Sequence, residues 1–335
     1  MTPLERSWYP IAWSSALKGK PIAAEVLGRH VVAFRDASGT ARVMDDRCPH
    51  KGVKLSGGMC TDKGIECPYH GWIFDGAGAC VHMPSHAGST VPPVRKIRTY
   101  VARESQGTVW FTFSPSPYQP DPPDWHFPEK QSFRTILDMD CEYIRLMENL
   151  VDNPHAGYIH GGLLRGRPTT RVVSHVSETP TGVLANTMGE KARRSLIYRV
   201  FGGKEHDIFH TEEFIVPHTI RTVFSQPGGT HASSQFVCVP VSEQRTRVFY
   251  RITLDFPFAR FFLPFFKLMV DRVLVQDKIM LEHEARQEWA DPAFGKTACK
   301  ADVAAIWTAR AARAYAADGT GPQAPFRATE TDYRL

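Results

Sequence analysis

The sequence predicts an α+β protein of two domains. The first is a small antiparallel β domain over residues 1–117. The second, over 118–335, is an antiparallel sheet curled around a pocket with a long helix across it. Three observations carry this. The first third of the chain alternates short β-rich runs with glycine turns, as hairpins do. A proline-dense run from Ser114 to Pro128 cannot supply ladder donors and marks a linker. Beyond it, strand-like runs lie between two helical stretches, Cys141–Asp152 and Leu268–Trp289.

Within the first domain, Trp8-Tyr9-Pro10-Ile11-Ala12 supplies aromatic packing material. His30–Arg35 is strand-like and pairs with Ala41–Met44 across the turn residues Asp36-Ala37-Ser38-Gly39. Trp72-Ile73-Phe74 before Asp75-Gly76 reads as another strand and turn, and Thr108–Phe113 as the run that closes the domain. In the second domain the expected strands are Glu212–Val216, Gln235–Val241 and Arg247–Phe256. Ala301–Ala316 is Ala-rich and predicted helical, and the last residues are expected to be disordered.

Chemistry is concentrated in two places. Cys48-Pro49-His50 and Cys67-Pro68-Tyr69-His70 form C-x-H and C-x-x-H, 16 residues apart. Each short loop offers one thiolate and one imidazole. Zinc fingers instead pair Cys with Cys and His with His. The mixed set suits a [2Fe–2S] cluster with one iron on Cys48 and Cys67 and the other on His50 and His70. Neutral imidazoles make such a cluster easier to reduce. Glycines after each pair, Gly52 and Gly71 among them, permit tight turns whose N–H groups aim at sulfur. Zinc, or residues scattered through a core, are the alternatives.

The second place is Glu148–His160. Asn149, Asp152 and His155 recur at intervals of three and share a helical face. His155 and His160 are five apart, about 140° on an ideal helix, so they diverge unless Pro154 and Gly157 break it. Two histidines brought together call for a metal or for catalysis; two unrelated histidines are the alternative. A mononuclear non-haem iron needs a carboxylate as third ligand. Asp277 has Val273, Leu274, Met280 and Leu281 three and four positions away, a stripe in which a bare carboxylate is costly unless a cation neutralises it. A salt bridge to a core arginine is the alternative.

The chain has 335 residues, 42% hydrophobic and 22% charged, with net charge +5. These are globular values, with length enough for two cores. The mild basicity is that of an ordinary solvated surface, and no nucleic-acid partner is expected. Residues 1–10 lack an apolar signal core. The apolar run Phe256–Phe266 is too short to span a bilayer and is interrupted by Arg260 and two prolines, so no membrane partner and a cytoplasmic location are expected. No G-x-G-x-x-G stands at a strand-to-helix turn, so no nicotinamide or flavin site of that kind is expected in the chain.

Cys48–His50 and Cys67–His70 followed by Gly71-Trp72 resemble the Rieske domain of ring-hydroxylating oxygenases. Asn149, Asp152, His155 and His160 resemble the N-x-x-D-x-x-H-x-x-x-x-H signature of Rieske non-haem iron oxygenase α-subunits, and Asp277 matches the late iron-binding Asp. The resemblance covers essentially the whole chain. Length and Asn149 look most like the homotrimeric group of vanillate and dicamba O-demethylase oxygenases. Lys51 departs from the arginine many relatives carry there, and keeps the charge.

The resemblance implies a helix-grip (START-like) catalytic domain, a Rieske [2Fe–2S] cluster and a mononuclear Fe(II) on His155, His160 and Asp277. It also implies a flavin/iron–sulfur reductase, with or without a ferredoxin, feeding a homotrimer. Asp152 then bridges His70 of one chain to His155 of the next, and Asn149 sits near the iron; an N-cap or helix salt bridge is the other role open to Asp152. The implied reaction is hydroxylation or oxidative O- or N-demethylation of a small aromatic or cyclic compound. The alternatives are arene cis-dihydroxylation, natural-product tailoring, and a Rieske electron carrier fused to a ligand-binding domain. His206, His210, Phe214, Phe236 and Phe249 are possible pocket residues, and Arg165–Pro168 a possible covering loop. Cys60 and Cys80 flank Cys67, where some Rieske domains add a disulfide; free thiols are the expectation.

Overall fold

The computed structural model describes residues 1–88, 90–115, 121–125, 131–161, 163, 169–191, 207–225, 231–255 and 258–335. Arg165–Pro168, His206 and much of the proline-dense run lie outside them. The chain divides into two compact units, Met1–Asp124 and Trp125–Leu335.

In the first unit the strands, in chain order, are β1 (Tyr9–Trp13), β2 (Ile22–Val26), β3 (Arg29–Arg35), β4 (Ala41–Asp45), β5 (Met59–Thr61), β6 (Gly64–Glu66), β7 (Ile73–Phe74), β8 (Cys80–His82), β9 (Thr99–Ser105) and β10 (Thr108–Thr112). They form a six-stranded sheet ordered β1-β10-β9-β4-β3-β2 and a four-stranded one ordered β5-β6-β7-β8. The expected hairpin is present as β3–β4: Arg35 pairs with Ala41, and Asp36 Oδ1 accepts from the Ser38 N–H at 2.9 Å to shape the turn. Val32, Phe34, Met44, Leu55, Ile65 and Phe74 pack around Cys48 and Cys67. This core fixes the two loops that carry the cysteines. Cys60 and Cys80 are free thiols.

The second unit contains one eight-stranded antiparallel sheet. Its strands are β11 (Ser132–Met139), β12 (Arg171–Thr179), β13 (Gly182–Lys191), β14 (Asp207–Ile215), β15 (Thr219–Ser225), β16 (His231–Ser242), β17 (Arg245–Asp255) and β18 (Ala328–Arg334). They are ordered β11-β17-β16-β15-β14-β13-β12-β18. The α+β class agrees with the sequence. The helices are α1 (Tyr143–Val151), α2 (Ala156–Ile159), α3 (Ala259–Ala290) and α4 (Val303–Asp318). α1 packs on α4 and on strands β14 to β17.

Two expectations are corrected. The C-terminal residues are not disordered: Ala328–Arg334 pairs antiparallel with β12, Val172 opposite Tyr333. Three of them, Thr329, Thr331 and Tyr333, are β-branched or aromatic at alternate positions, a strand signal the terminal location obscured. The long helix starts at Ala259, before Leu268, and carries Pro264 inside it. Pro264 is the sixth residue of that helix, so it forgoes one intrahelical hydrogen bond, the one its position would otherwise give to the Arg260 carbonyl.

Arg145 anchors α1 to the far end of α3. Its buried guanidinium pairs with Glu284 at 2.5 Å and with Glu288, and Lys296 joins the same two carboxylates at 3.0 and 2.7 Å. The acids are nearly half exposed, so losing the arginine strands no fully buried charge. Arg145→Ala is therefore expected to cost about 1–3 kcal/mol, mostly through lost packing, as read by urea unfolding. The hydrogen bond from Lys296 and then that from Arg145 pull the Glu288 carboxyl down to about 2. A depressed carboxylate stabilises above its ordinary value near 4.5 and loses that contribution as pH falls toward 2. Glu288→Gln should flatten the acid limb of stability between those two values; an unchanged limb excludes this ion cluster as its source.

Candidate metal centres

The two cysteine loops repeat one backbone pattern. Cys48 N–H donates to the Val53 carbonyl at 2.8 Å, and Gly52 N–H donates back to the Cys48 carbonyl at 2.8 Å. Cys67 N–H donates to the Trp72 carbonyl at 2.8 Å, and Gly71 N–H to the Cys67 carbonyl at 3.1 Å. Both closures need a left-handed residue: Gly52 has φ +77° and Gly71 φ +68°. Buried Asp46 clamps the first loop by accepting from the Ser56 N–H and hydroxyl at 2.7 and 2.6 Å.

This frame sets Cys48 beside Cys67 and His50 beside His70. The His50 and His70 rings lie 4.5 Å apart, and Trp72 stacks flat on His50 at 4.4 Å. Burial, with the neighbouring Cys67, pushes the Cys48 thiol up to about 11, against N–H groups of His50 and Lys51 that favour thiolate. Desolvation, His70 and Lys51 hold His50 below its ordinary value, in the neutral form that binds metal. His50 Nδ1 is buried with no hydrogen-bond partner. An orphaned imidazole nitrogen beside two buried thiols fits a metal cluster and is costly without one.

The second centre is built by a broken helix. α1 ends at Val151, Asp152 leaves helical geometry (ψ 102°), and Asn153-Pro154 lead into the single turn α2. His155 and His160 flank that turn, and their rings meet at 5.4 Å, nearly perpendicular. Asp277 reaches them from the middle of α3. Its Oδ1 lies 3.5 Å from His155 Nε2 and 3.0 Å from His160 Nε2, yet is buried without a hydrogen bond. Three groups that converge without satisfying one another fit a cation between them. Among the described residues they form a group whose ligand atoms all lie within 4.8 Å, an arrangement suited to one ion. The Cys48, His50, Cys67 and His70 atoms do not form such a group, as befits ligands spread over two irons.

The other ring nitrogens are also taken. His155 Nδ1 lies 3.3 Å from Asp152 Oδ2, and His160 Nδ1 lies 3.0 Å from Gln276 Oε1. Acceptors on both Nδ1 atoms leave each Nε2 lone pair facing Asp277. Gln276 was not singled out by sequence; its one signal is adjacency to Asp277 on α3. A cavity of about 260 Å³ opens beside the trio, lined by Asn149, Asp152, Phe236, Leu254, Phe266 and Val273 among others. Asn149 Oδ1 is buried and unpartnered. Of the possible pocket residues, Phe236 lines the cavity. Phe214 and Phe249 are buried but do not, and His210 stands behind the wall against two carboxylates that do.

Comparison with known proteins agrees with this division. A Rieske [2Fe-2S] domain model matches residues 7–100, and a vanillate O-demethylase oxygenase C-terminal domain model matches residues 139–319. The oxygenase component of dicamba O-demethylase from Stenotrophomonas maltophilia is 32% identical over 166 residues, 48% of each chain. Protein TIC 55 of Arabidopsis thaliana is 29% identical over 255 residues, 73% of this chain and 46% of that protein. The chain thus spans about half the length of these curated relatives. A crystal structure of dicamba monooxygenase bound to dicamba superposes with a TM-score of 0.78 at 22% identity, covering 94% of this chain and 98% of that one; it establishes the fold. No described helix is long and apolar enough to cross a membrane.

Proposed function

Since the chain belongs to the Rieske proteins that carry a vanillate O-demethylase oxygenase C-terminal domain, we propose that it is the terminal oxygenase component of a Rieske-type system. The reaction is hydroxylation or oxidative O- or N-demethylation of a small aromatic or cyclic compound. The observation that carries this is the convergence of His155, His160 and Asp277 on one point beside a cavity of about 260 Å³. Residues 1–117 serve as the electron-storing domain and 118–335 as the catalytic one. When bound, the cluster would supply one-electron storage and the ferrous ion would supply oxygen activation beside the cavity.

The protein's own residues have distinct tasks. Cys48 and Cys67 hold one cluster iron, and His50 and His70 the other. His155, His160 and Asp277 would hold the mononuclear iron beside the cavity. Asp152 keeps the proton of His155 on Nδ1 and, in a homotrimer, accepts a second hydrogen bond from His70 of the partner subunit. Its contact with His155 and its partly exposed side chain (30%) support that role. Gln276 fixes the His160 tautomer in the same way. Asn149 offers a polar atom to the iron's outer surroundings. Electrons come from NAD(P)H through a separate reductase, with or without a ferredoxin, and the protein works in the cytoplasm.

Iron content tests the proposal. About three iron atoms per chain are expected, two in the cluster and one on the trio. About two would leave a Rieske carrier with a ligand-binding domain. Gln276→Leu is expected to weaken mononuclear iron binding about 10- to 100-fold while leaving the cluster spectrum unchanged, as read by iron titration of the apoprotein.

A further inference from the structure

We propose that the cavity takes a substrate bearing a neutral hydroxyl, seated on a polar row formed by Glu212, Thr222 and Ser234. This rests on the oxygenase reading and narrows its substrate class. Glu212 on β14 lies opposite Thr222 on β15, which lies opposite Ser234 on β16. The three are 3%, 7% and 8% exposed, and all line the same cavity as Asn149 and Asp277. The rows beside them hold hydrophobic groups: Phe224, Ala232 and Leu254 on one side, Ile220, Phe236 and Tyr250 on the other.

A buried polar row is costly unless its hydrogen bonds are made. Thr222 and Ser234 share one between their hydroxyls, and Glu212 Oε1 lies 2.6 Å from His210 Nδ1. Two groups remain. Glu212 Oε2 is buried without a hydrogen-bond partner. Whichever of Oε1 and Nδ1 carries the proton of their contact, Oε2 stays an acceptor. Two hydroxyls own two hydrogens and the bond between them uses one, so one is left to donate. The row therefore calls for a guest that both donates and accepts. A hydroxyl does so from a single oxygen. An ether or a carboxylate accepts but cannot donate, and an ammonium group donates but cannot accept. Phe224, Phe236, Ile252 and Leu254 line the same cavity and suit an apolar ring carrying that hydroxyl.

The sheet sets this row inside. On β14 the inward positions Ile208, His210, Glu212 and Phe214 alternate. Facing residues on antiparallel strands hold their Cβ atoms about 5 Å apart, so the three polar heads make one seat. Glu213, Arg221 and Gln235 form the matching row on the other face, where Arg221 meets Glu213 at 3.5 Å and Gln235 at 3.4 Å. On β13 the inward run Val183, Ala185, Thr187 would turn Glu190 outward. A bulge between Thr187 and Glu190, with Gly189 at φ +90°, shifts the register and turns Glu190 in, where it lines the same cavity.

Calorimetric titration of the iron-loaded protein with 4-methoxybenzyl alcohol, its methyl ether and 4-methylanisole tests the proposal. The alcohol should bind at least about fivefold tighter than either of the others, which lack the donor. Glu212→Met, which removes the acceptor at similar length, should lower the alcohol-to-ether ratio about threefold or more, with iron content and visible spectrum unchanged. The alcohol's failure to bind below about 10 mM, a smaller preference in the parent, or a ratio that Glu212→Met leaves unaltered overturns it. If that variant is insoluble, the double variant Thr222→Val with Ser234→Ala replaces it. It should weaken alcohol binding about threefold or more and change 4-methylanisole binding less than about twofold, and unaltered alcohol affinity overturns the proposal. Iron counting separates the two readings. Three irons without an alcohol preference removes only the hydroxyl proposal, and two irons with that preference removes only the oxygenase.

Discussion

Asp277→Ala abolishes mononuclear iron binding and leaves the cluster intact: about two irons per chain instead of three, an unchanged Rieske visible spectrum, and substrate-dependent O₂ uptake lowered at least about a thousandfold. The size follows from the geometry. Asp277 is the one carboxylate of the trio, and its Oδ1 faces both Nε2 atoms from within an apolar stripe of α3. Two neutral imidazoles alone neither neutralise nor face-cap a ferrous ion. Stability should move the other way. In metal-free protein the aspartate is a buried acid without a hydrogen bond at Oδ1, so metal-free Asp277→Ala should melt no lower than the metal-free parent, whereas only the parent should gain stability on adding Fe(II). Retention of stoichiometric mononuclear iron in the variant would rule out the ligand assignment.

Asp152→Asn should do the opposite, keeping about three irons per chain while losing turnover about a hundredfold or more. Asparagine preserves volume and can still accept from His155 Nδ1. Its other terminal atom is an NH₂ donor, which cannot accept from a second imidazole as the second carboxylate oxygen can, and the negative charge between the two imidazoles is lost. Single-turnover reduction shows where the loss arises: the cluster should reduce normally with a surrogate reductase, and its reoxidation in the presence of substrate and O₂ should slow. Coupled turnover equal to the parent's would show that Asp152 is only a helix terminator.

Much of this architecture was legible because the chemistry is dense in sequence. Two Cys/His loops 16 residues apart announce themselves, and so does an acid in an apolar helical stripe. The proximity of His155 and His160 was legible only as a requirement: Pro154 made a break necessary, and α2 supplies it as a single turn. What stayed hidden depends on pairing between distant strands. Glu190 looks like a surface residue until the bulge on β13 is known. His210 and Glu212 share an inward face only once β14 is known to lie in the middle of the sheet. Gln276 has no periodic signature; its role exists because α3 passes the α1–α2 break.

The bulge on β13 also has an evolutionary side. Removing either Met188 or Gly189 would restore regular alternation and leave Glu190 two positions after Thr187, still inward and opposite Ile208. A one-codon deletion at this spot would therefore spare the face of the strand, whereas flattening the strand at its present length would reverse it.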